Sequence, residues 1–262
     1  MVSEPARNNE NAPDFLDVEG RRIAVRQRPG ASDRPGLVWL GGFRSDMRGG
    51  KATALDAYAA RTGRACLRFD YSGHGESSGR FADGTIGTWL ADALAAFRAR
   101  TQGPQVLVGS SMGGWIALLL AHALAASGEA GRIAGHVLIA PAVDFTQALM
   151  WPSLSAEARA AIERDGVWMR PSDYGDGDYP ITRALIEDGR NHLLLDQPLR
   201  SYGPVHILQG MRDPDVPFAH ALLLVEHFAQ DPVVLTLVKD GDHRLSRDED
   251  ISRLIAAVEG LA

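Results

Sequence analysis

Residues 106–120 read VLVGSSMGGWIALLL, an apolar run, two adjacent serines among glycines, then a second apolar run. A hydrophobic strand that turns sharply into a buried helix has this pattern. In a G-x-S-x-G turn the central residue is forced into a strained conformation, and the positions two before and two after must be small so that neighbouring backbone can pass. Ser111 has Gly109 and Gly113 at those places, whereas Ser110 has Val108 and Met112. Ser111 is therefore the candidate nucleophile and Ser110 a packing residue before the turn. GSSMGG has neither the lysine of a phosphate-binding loop nor the spacing of a dinucleotide fingerprint.

On both sides of this stretch strands and helices alternate. GLVWLGG (36–42), ACLRFDYSG (65–73), PQVLVGS (104–110), GHVLIAP (135–141), PVHILQG (204–210) and PVVLTLVKDG (232–241) read as strands. Helical spacing is expected over 51–63, 85–100, from about Gly113, over 218–229 and over 248–261. FLDVEGRRIAVRQR adds a hairpin turning at Glu19-Gly20. Such a series calls for an α/β fold whose mostly parallel central sheet, of about eight strands, is covered by helices on both faces. Active residues then collect at the carboxyl ends of the strands.

The chain has 262 residues, 45% hydrophobic and 23% charged, which suits one large domain. Its expected organisation is a disordered polar tail (1–13), a first core part (14–143), an insertion of lid character (144–197) and a second core part (198–262). The insertion breaks the alternation with Trp, Tyr, Pro and Gly, and two short helices are expected in it, near SAEARAAIERDG and ITRALIEDG.

A formal charge of −6 argues against nucleic acid or anionic membrane as partner. WIALLLAHALAA is too short for a membrane span. The single cysteine, Cys66, leaves neither a disulfide framework nor a Cys-rich metal site. No secretory or transit signal is read at the start, and a cytoplasmic location is expected. The acidic run with Asp173, Asp176 and Asp178 does not fit a calcium loop and reads as a solvated turn.

A serine nucleophile needs an acid and then a histidine later in the chain, each just after a strand. Asp213 in QGMRDPDVP and His243 in DGDHRL occupy those places, with Asp215 and Asp144 as the alternative acids. His243 is the expected base and Asp213 the group that orients it. The other histidines read as structural, with His74 in SGHGESSG the one that could line the pocket. The oxyanion donors expected are the backbone N–H groups of Met112 and of Phe43 in GGFRSDM.

These motifs, GGF, RFDYSGHGESSG, GSSMGG, QGMRDPDVP and GDHRL, resemble the α/β-hydrolase superfamily in order and spacing. The insertion segments GVWMRPSDYG and HLLLDQPL are similar to one branch of it. Gly41 and Gln209 stand where many members place histidine. The resemblance implies the α/β-hydrolase fold and serine hydrolysis of acyl esters and thioesters, including removal of palmitate from protein cysteines and cleavage of acyl glucuronides. It assigns Ser111, Asp213 and His243 as nucleophile, acid and base, with no metal or organic cofactor.

The expected function is thus cleavage of esters or thioesters with an apolar acyl group through an acyl-enzyme, on a small-molecule or protein-linked substrate. Trp151, Trp168 and Met169 are the candidate substrate contacts, with Leu154, Val167, Tyr174, Tyr179 and Leu193–Leu195 as further lining; the alternative reading is that these side chains fasten the lid to the core. Two readings stay open beside it: a short-acyl carboxylesterase and a noncatalytic binding protein on the same fold. The acyl chain, the leaving group and the oligomeric state are not readable from the residues.

Overall fold

The computed structural model describes residues 12–171 and 177–261. It begins with the hairpin of β1 (Asp14–Val18) and β2 (Arg21–Arg28), whose turn residues Glu19 and Gly20 take φ of 53° and 81°. Then follow β3 (Gly36–Leu40), α1 (Gly50–Thr62), β4 (Cys66–Phe69) and α2 (Ile86–Arg100). Next come β5 (Gln105–Ser110), α3 (Met112–Ala126) and β6 (Ile133–Ile139). After an excursion the chain completes the core with β9 (Val205–Gly210), α7 (Phe218–His227), β10 (Val233–Val238) and α8 (Asp248–Glu259). The excursion holds a π-helical turn (Thr146–Met150), α4 (Trp151–Ser153), α5 (Ala156–Asp165), β7 (Val167–Arg170), β8 (Tyr179–Thr182) and α6 (Arg183–Gly189).

Eight strands form one sheet in the order β1-β2-β4-β3-β5-β6-β9-β10. β1 and β2 run antiparallel to their neighbours and all other pairings are parallel. The expected mostly parallel sheet of about eight strands is what forms. Every residue of β3 and β5 is buried, as a strand covered on both faces requires. Alternation along β5 divides the core: Leu107 packs with Trp89, Phe97 and Trp115 of α2 and α3. Val106 and Val108 face Leu55 and Tyr58 of α1 and Leu254 of α8. α1 stops at Gly63, which takes φ of 68° and returns its N–H to the Ala59 carbonyl.

The two short helices expected in the insertion are α5 and α6, capped by Ser155 and Thr182 side chains. The antiparallel hairpin of β7 and β8 was hidden by its own sequence, because Pro180 inside YPIT argues against a strand. It is tolerated because the pair forms a separate two-stranded sheet, leaving each strand an open edge. Asp173, Tyr174 and Asp176, and residues 1–11 of the expected tail, lie outside the described residues. Asp144 fastens the excursion: its carboxylate accepts the N–H groups of Leu194 at 2.9 Å and Leu195 at 2.8 Å. Burial pushes the pKa of this acid up, against the pull of those two donors. Among the described residues no helix is long and apolar enough to cross a membrane.

Candidate active site

The turn between β5 and α3 is built around forced contacts. Ser111 takes φ of 54° and ψ of −119°, a left-handed conformation that a non-glycine residue holds only when its surroundings impose it. A side chain at Gly109 would strike the Gly113 carbonyl, and one at Gly113 would strike the carbonyls of Leu40 and Gly41. Both glycines are thus required by backbone crossing over backbone. The Ser111 N–H is anchored to the Ile139 carbonyl at 2.8 Å, which fixes the turn to the neighbouring strand. Ser110 stays at the end of β5, buried.

Three loops at the carboxyl ends of the strands bring the remaining groups to Ser111. His243, after β10, places Nε2 3.1 Å from Ser111 Oγ and Nδ1 2.8 Å from Asp213 Oδ2. A carboxylate only accepts, so Nδ1 carries the proton and Nε2 faces the serine hydroxyl as acceptor. Asp213, after β9, has a fully buried side chain, and its Oδ1 accepts the N–H groups of Asp215 and Val216 at 2.9 and 2.8 Å. The two loops abut so closely that a side chain at Gly210 would meet the carbonyls of Gly241 and Asp242. Asp144 is committed elsewhere, to the N–H groups of Leu194 and Leu195. Asp215 lines the cavity but leaves the imidazole to Asp213.

The third loop follows β3. A side chain at Gly42 would lie 3.4 Å from Ser111 Cβ, which brings this loop against the serine. Phe43 and Met112 both line the cavity beside Ser111, and among the described residues neither backbone N–H meets a protein acceptor. Met112 is the first residue of α3, where the amide has no partner within the helix and the dipole favours negative charge.

The cavity over Ser111 measures about 680 Å³, within the range of small-molecule sites. Its apolar wall is formed by Phe145, Leu149, Met150 and Pro152, and its polar rim includes Arg44, Lys51, Arg170 and Arg244. Tyr179 lines it as expected. Trp151, Trp168 and Met169 do not. Trp151 and Trp168 pack onto the core, and Met169 points outward at 49% exposure. Strand alternation explains the last pair: exposure falls, rises and falls along Trp168, Met169 and Arg170.

Donor atoms of Asp213, Asp215 and His243 lie within 4.8 Å of one another, a spacing that a metal could use. Both Asp213 oxygens already accept the hydrogen bonds just described, so the cluster is explained without an ion. The other seven histidines are engaged elsewhere. His122, His136, His220 and His227 bond backbone carbonyls, His206 bonds Thr236, and His192 pairs with Asp188. His74 lies beneath the loop after β3 rather than in the cavity wall. The Cys66 thiol is buried, which pushes its pKa up to about 12 and leaves it inert.

Two contributors were not anticipated. Gln209 is fully buried and donates to Asp213 Oδ2 at 3.2 Å and to the Val216 carbonyl at 2.9 Å. A polar residue at the carboxyl end of the strand VHILQG, just before the acid loop, was the available signal. Lys51, in the first turn of α1, bonds the carbonyl of Arg244 and the Ser246 hydroxyl, tying the β3–α1 region to the histidine loop. Burial pushes its pKa down to about 8.

A serine, an imidazole and a carboxylate in hydrogen-bonded series at the strand ends of such a sheet define the hydrolase class built on this fold. The chain belongs to the alpha/beta hydrolase family, whose model matches residues 29–257. Among curated relatives, the human protein named "Palmitoyl-protein thioesterase ABHD10, mitochondrial" is 34% identical over 98% of this chain and 82% of its own length. The solved structure of alpha/beta hydrolase domain-containing protein 10 from mouse superposes with a TM-score of 0.84 at 34% identity, covering 96% of this chain and 98% of that one. A crystal structure from Agrobacterium vitis S4 matches at a TM-score of 0.90 and 48% identity, over 98% of this chain and 99% of the other. The expected cytoplasmic location is overturned by the curated relatives, which are named mitochondrial and point there instead. Acidity and a lone buried cysteine suit any reducing compartment, so they could not separate the two.

Proposed function

We propose that this chain is a serine hydrolase that cleaves carboxylic esters or thioesters bearing an apolar acyl group, through an acyl-enzyme intermediate. The observation that carries this reading is the continuous series Ser111 Oγ, His243 Nε2, His243 Nδ1 and Asp213 Oδ2 opening into a cavity with an apolar wall. Ser111 Oγ attacks the acyl carbonyl while His243 takes its proton, and Asp213 stabilises the imidazolium. The N–H groups of Met112 and Phe43 receive the oxyanion, each worth about 3 kcal/mol in the barrier. His243 returns the proton to the departing alcohol or thiol; it then activates water to release the acid and regenerate Ser111. Every proton and charge in this cycle is handled by side chains and backbone, so the chemistry calls for no metal or organic cofactor.

The excursion 144–197 supplies the apolar wall and would act as the lid. Its curated relatives named palmitoyl-protein thioesterases support a long-chain thioester as substrate, on a protein or a small molecule. The test is kcat/KM for matched oxygen esters and thioesters from acetyl to palmitoyl, with Ser111→Ala as control. Activity rising toward long thioesters and abolished in the variant is the expected result. Activity limited to short oxygen esters would make the protein a short-acyl carboxylesterase, and undiminished activity in Ser111→Ala would overturn the mechanism.

A further inference from the structure

We propose that His74 is a positioning residue for this reaction, holding the Phe43 N–H in the direction the oxyanion needs. The inference rests on the serine-hydrolase reading above and adds a residue that neither lines the cavity nor belongs to the hydrogen-bonded series at Ser111.

His74 Nδ1 lies 3.2 Å from the Ser72 carbonyl, and Nε2 lies 3.2 Å from the Arg44 amide. A carbonyl only accepts and a backbone amide only donates, so these two neighbours fix the ring as neutral, with its proton on Nδ1 and its Nε2 lone pair facing Arg44. The ring is 4% exposed and stands edge-on to Tyr71, Phe81 and Trp89, which leaves it no room to turn.

What it holds is a strained turn. Arg44 takes φ of 59°, in the left-handed region that a side chain disfavours, and directly follows Phe43. The Arg44 N–H belongs to the peptide on the carboxyl side of Phe43. The Phe43 ring is itself set edge-on to Phe81, Trp89, Phe145 and Tyr179, and the Arg44 guanidinium lies 4.3 Å over the Tyr179 ring. With the following peptide and the side chain both fixed, Phe43 retains little freedom to swing its own N–H. Asp70 secures the far end of the same loop, accepting the Met47 N–H at 2.6 Å and the Glu76 N–H at 2.8 Å. The segment RFDYSGHGESSG therefore supports the GGFRSDM loop from below through His74 and Asp70.

His74→Phe keeps the ring packing and removes the acceptor. The expected result is a fall in kcat of about a hundredfold, the scale of a small misplacement of a reacting group, with KM within about twofold. Affinity for a trifluoromethyl ketone, whose adduct carries the oxyanion, should fall by a similar factor. A merely structural role would lower melting temperature and leave both values near wild type in the folded protein. His74→Gln, whose amide oxygen can occupy the Nε2 position, should recover most of the loss, whereas His74→Met, similar in volume but without that acceptor, should not. If His74→Phe does not fold, the Gln and Met variants carry the comparison alone, and equal kcat in those two overturns the proposal. So does a folded His74→Phe with unchanged kcat and ketone affinity. With Ser111→Ala inactive in the same assay, that result removes only the role of His74; an active Ser111→Ala removes the reading beneath it.

Discussion

Gln209 Nε2 donates to Asp213 Oδ2 at 3.2 Å, sharing the same carboxylate oxygen that His243 Nδ1 reaches at 2.8 Å. The amide also holds the Val216 carbonyl, so the acid loop is closed from inside the sheet. Gln209→Leu removes these donors and leaves the Val216 carbonyl buried and unpaired. The expected cost is about 1–3 kcal/mol of stability by urea unfolding. Turnover should fall by roughly tenfold as Asp213 loses a fixed orientation. Unchanged kcat in a destabilised variant would confine Gln209 to the fold.

The choice between Asp213 and Asp215 is decided by the same loop. Asp213 receives the imidazole on one oxygen and two backbone amides on the other, while Asp215 stands at the cavity wall. Asp213→Asn should lower kcat by about 10⁴-fold, because an amide favours the wrong histidine tautomer, and leave the fold intact. Asp215→Asn should change kcat by no more than about tenfold, its effect falling on KM for charged substrates. Steady-state kinetics on both variants would expose the reverse order.

Where the sequence was legible, the constraint was local. Gly109 and Gly113 declare backbone crossing backbone, and the apolar runs of β3 and β5 declare strands buried on both faces. Asp213 and His243 could be placed because each sits in the loop just after a strand whose end was visible. The cavity wall was not legible, because it depends on how the excursion folds back. Trp151 and Trp168 have the size for an acyl contact, yet the hairpin and the π-helical turn commit them to the core and present Leu149, Met150 and Arg170 instead. Lys51 and His74 act across long sequence separations: Lys51 meets a carbonyl 193 positions away, and His74 an amide 30 positions away.

Lys51 gives a stability signature in alkaline solution. Burial moves its pKa from 10.5 down to about 8, with Arg244 adding to the fall and Asp242 and Asp250 opposing it. Below about 8 the amine is charged in folded and unfolded chains alike, and the burial penalty is fully present. Between about 8 and 10.5 the unfolded chain binds the proton that the folded chain has lost, so this group's contribution to stability rises with pH. Unfolding by urea at about pH 7.5 and about pH 9.5 should show wild type gaining about 1–2 kcal/mol relative to Lys51→Met. A difference that does not change with pH would mean that the Lys51 proton is bound equally in both states.

The apolar wall should set acyl-chain length. Leu149 lies on the π-helical turn, lines the cavity and is only partly buried, so a larger side chain can extend into the cavity without displacing the sheet. Leu149→Trp should fill the space that the distal methylenes occupy and leave Ser111, His243 and Asp213 untouched. Each excluded methylene is worth up to about 1–3 kcal/mol of discrimination in an apolar pocket. The ratio of kcat/KM for a palmitoyl thioester to that for a butyryl thioester should therefore fall at least about tenfold, with butyryl turnover nearly constant. Leu149→Ala, which enlarges the cavity, should leave butyryl turnover unchanged and tolerate chains longer than palmitoyl. Equal losses on both thioesters would place the acyl chain elsewhere, because a wall that meets only the distal carbons cannot penalise a substrate too short to reach it.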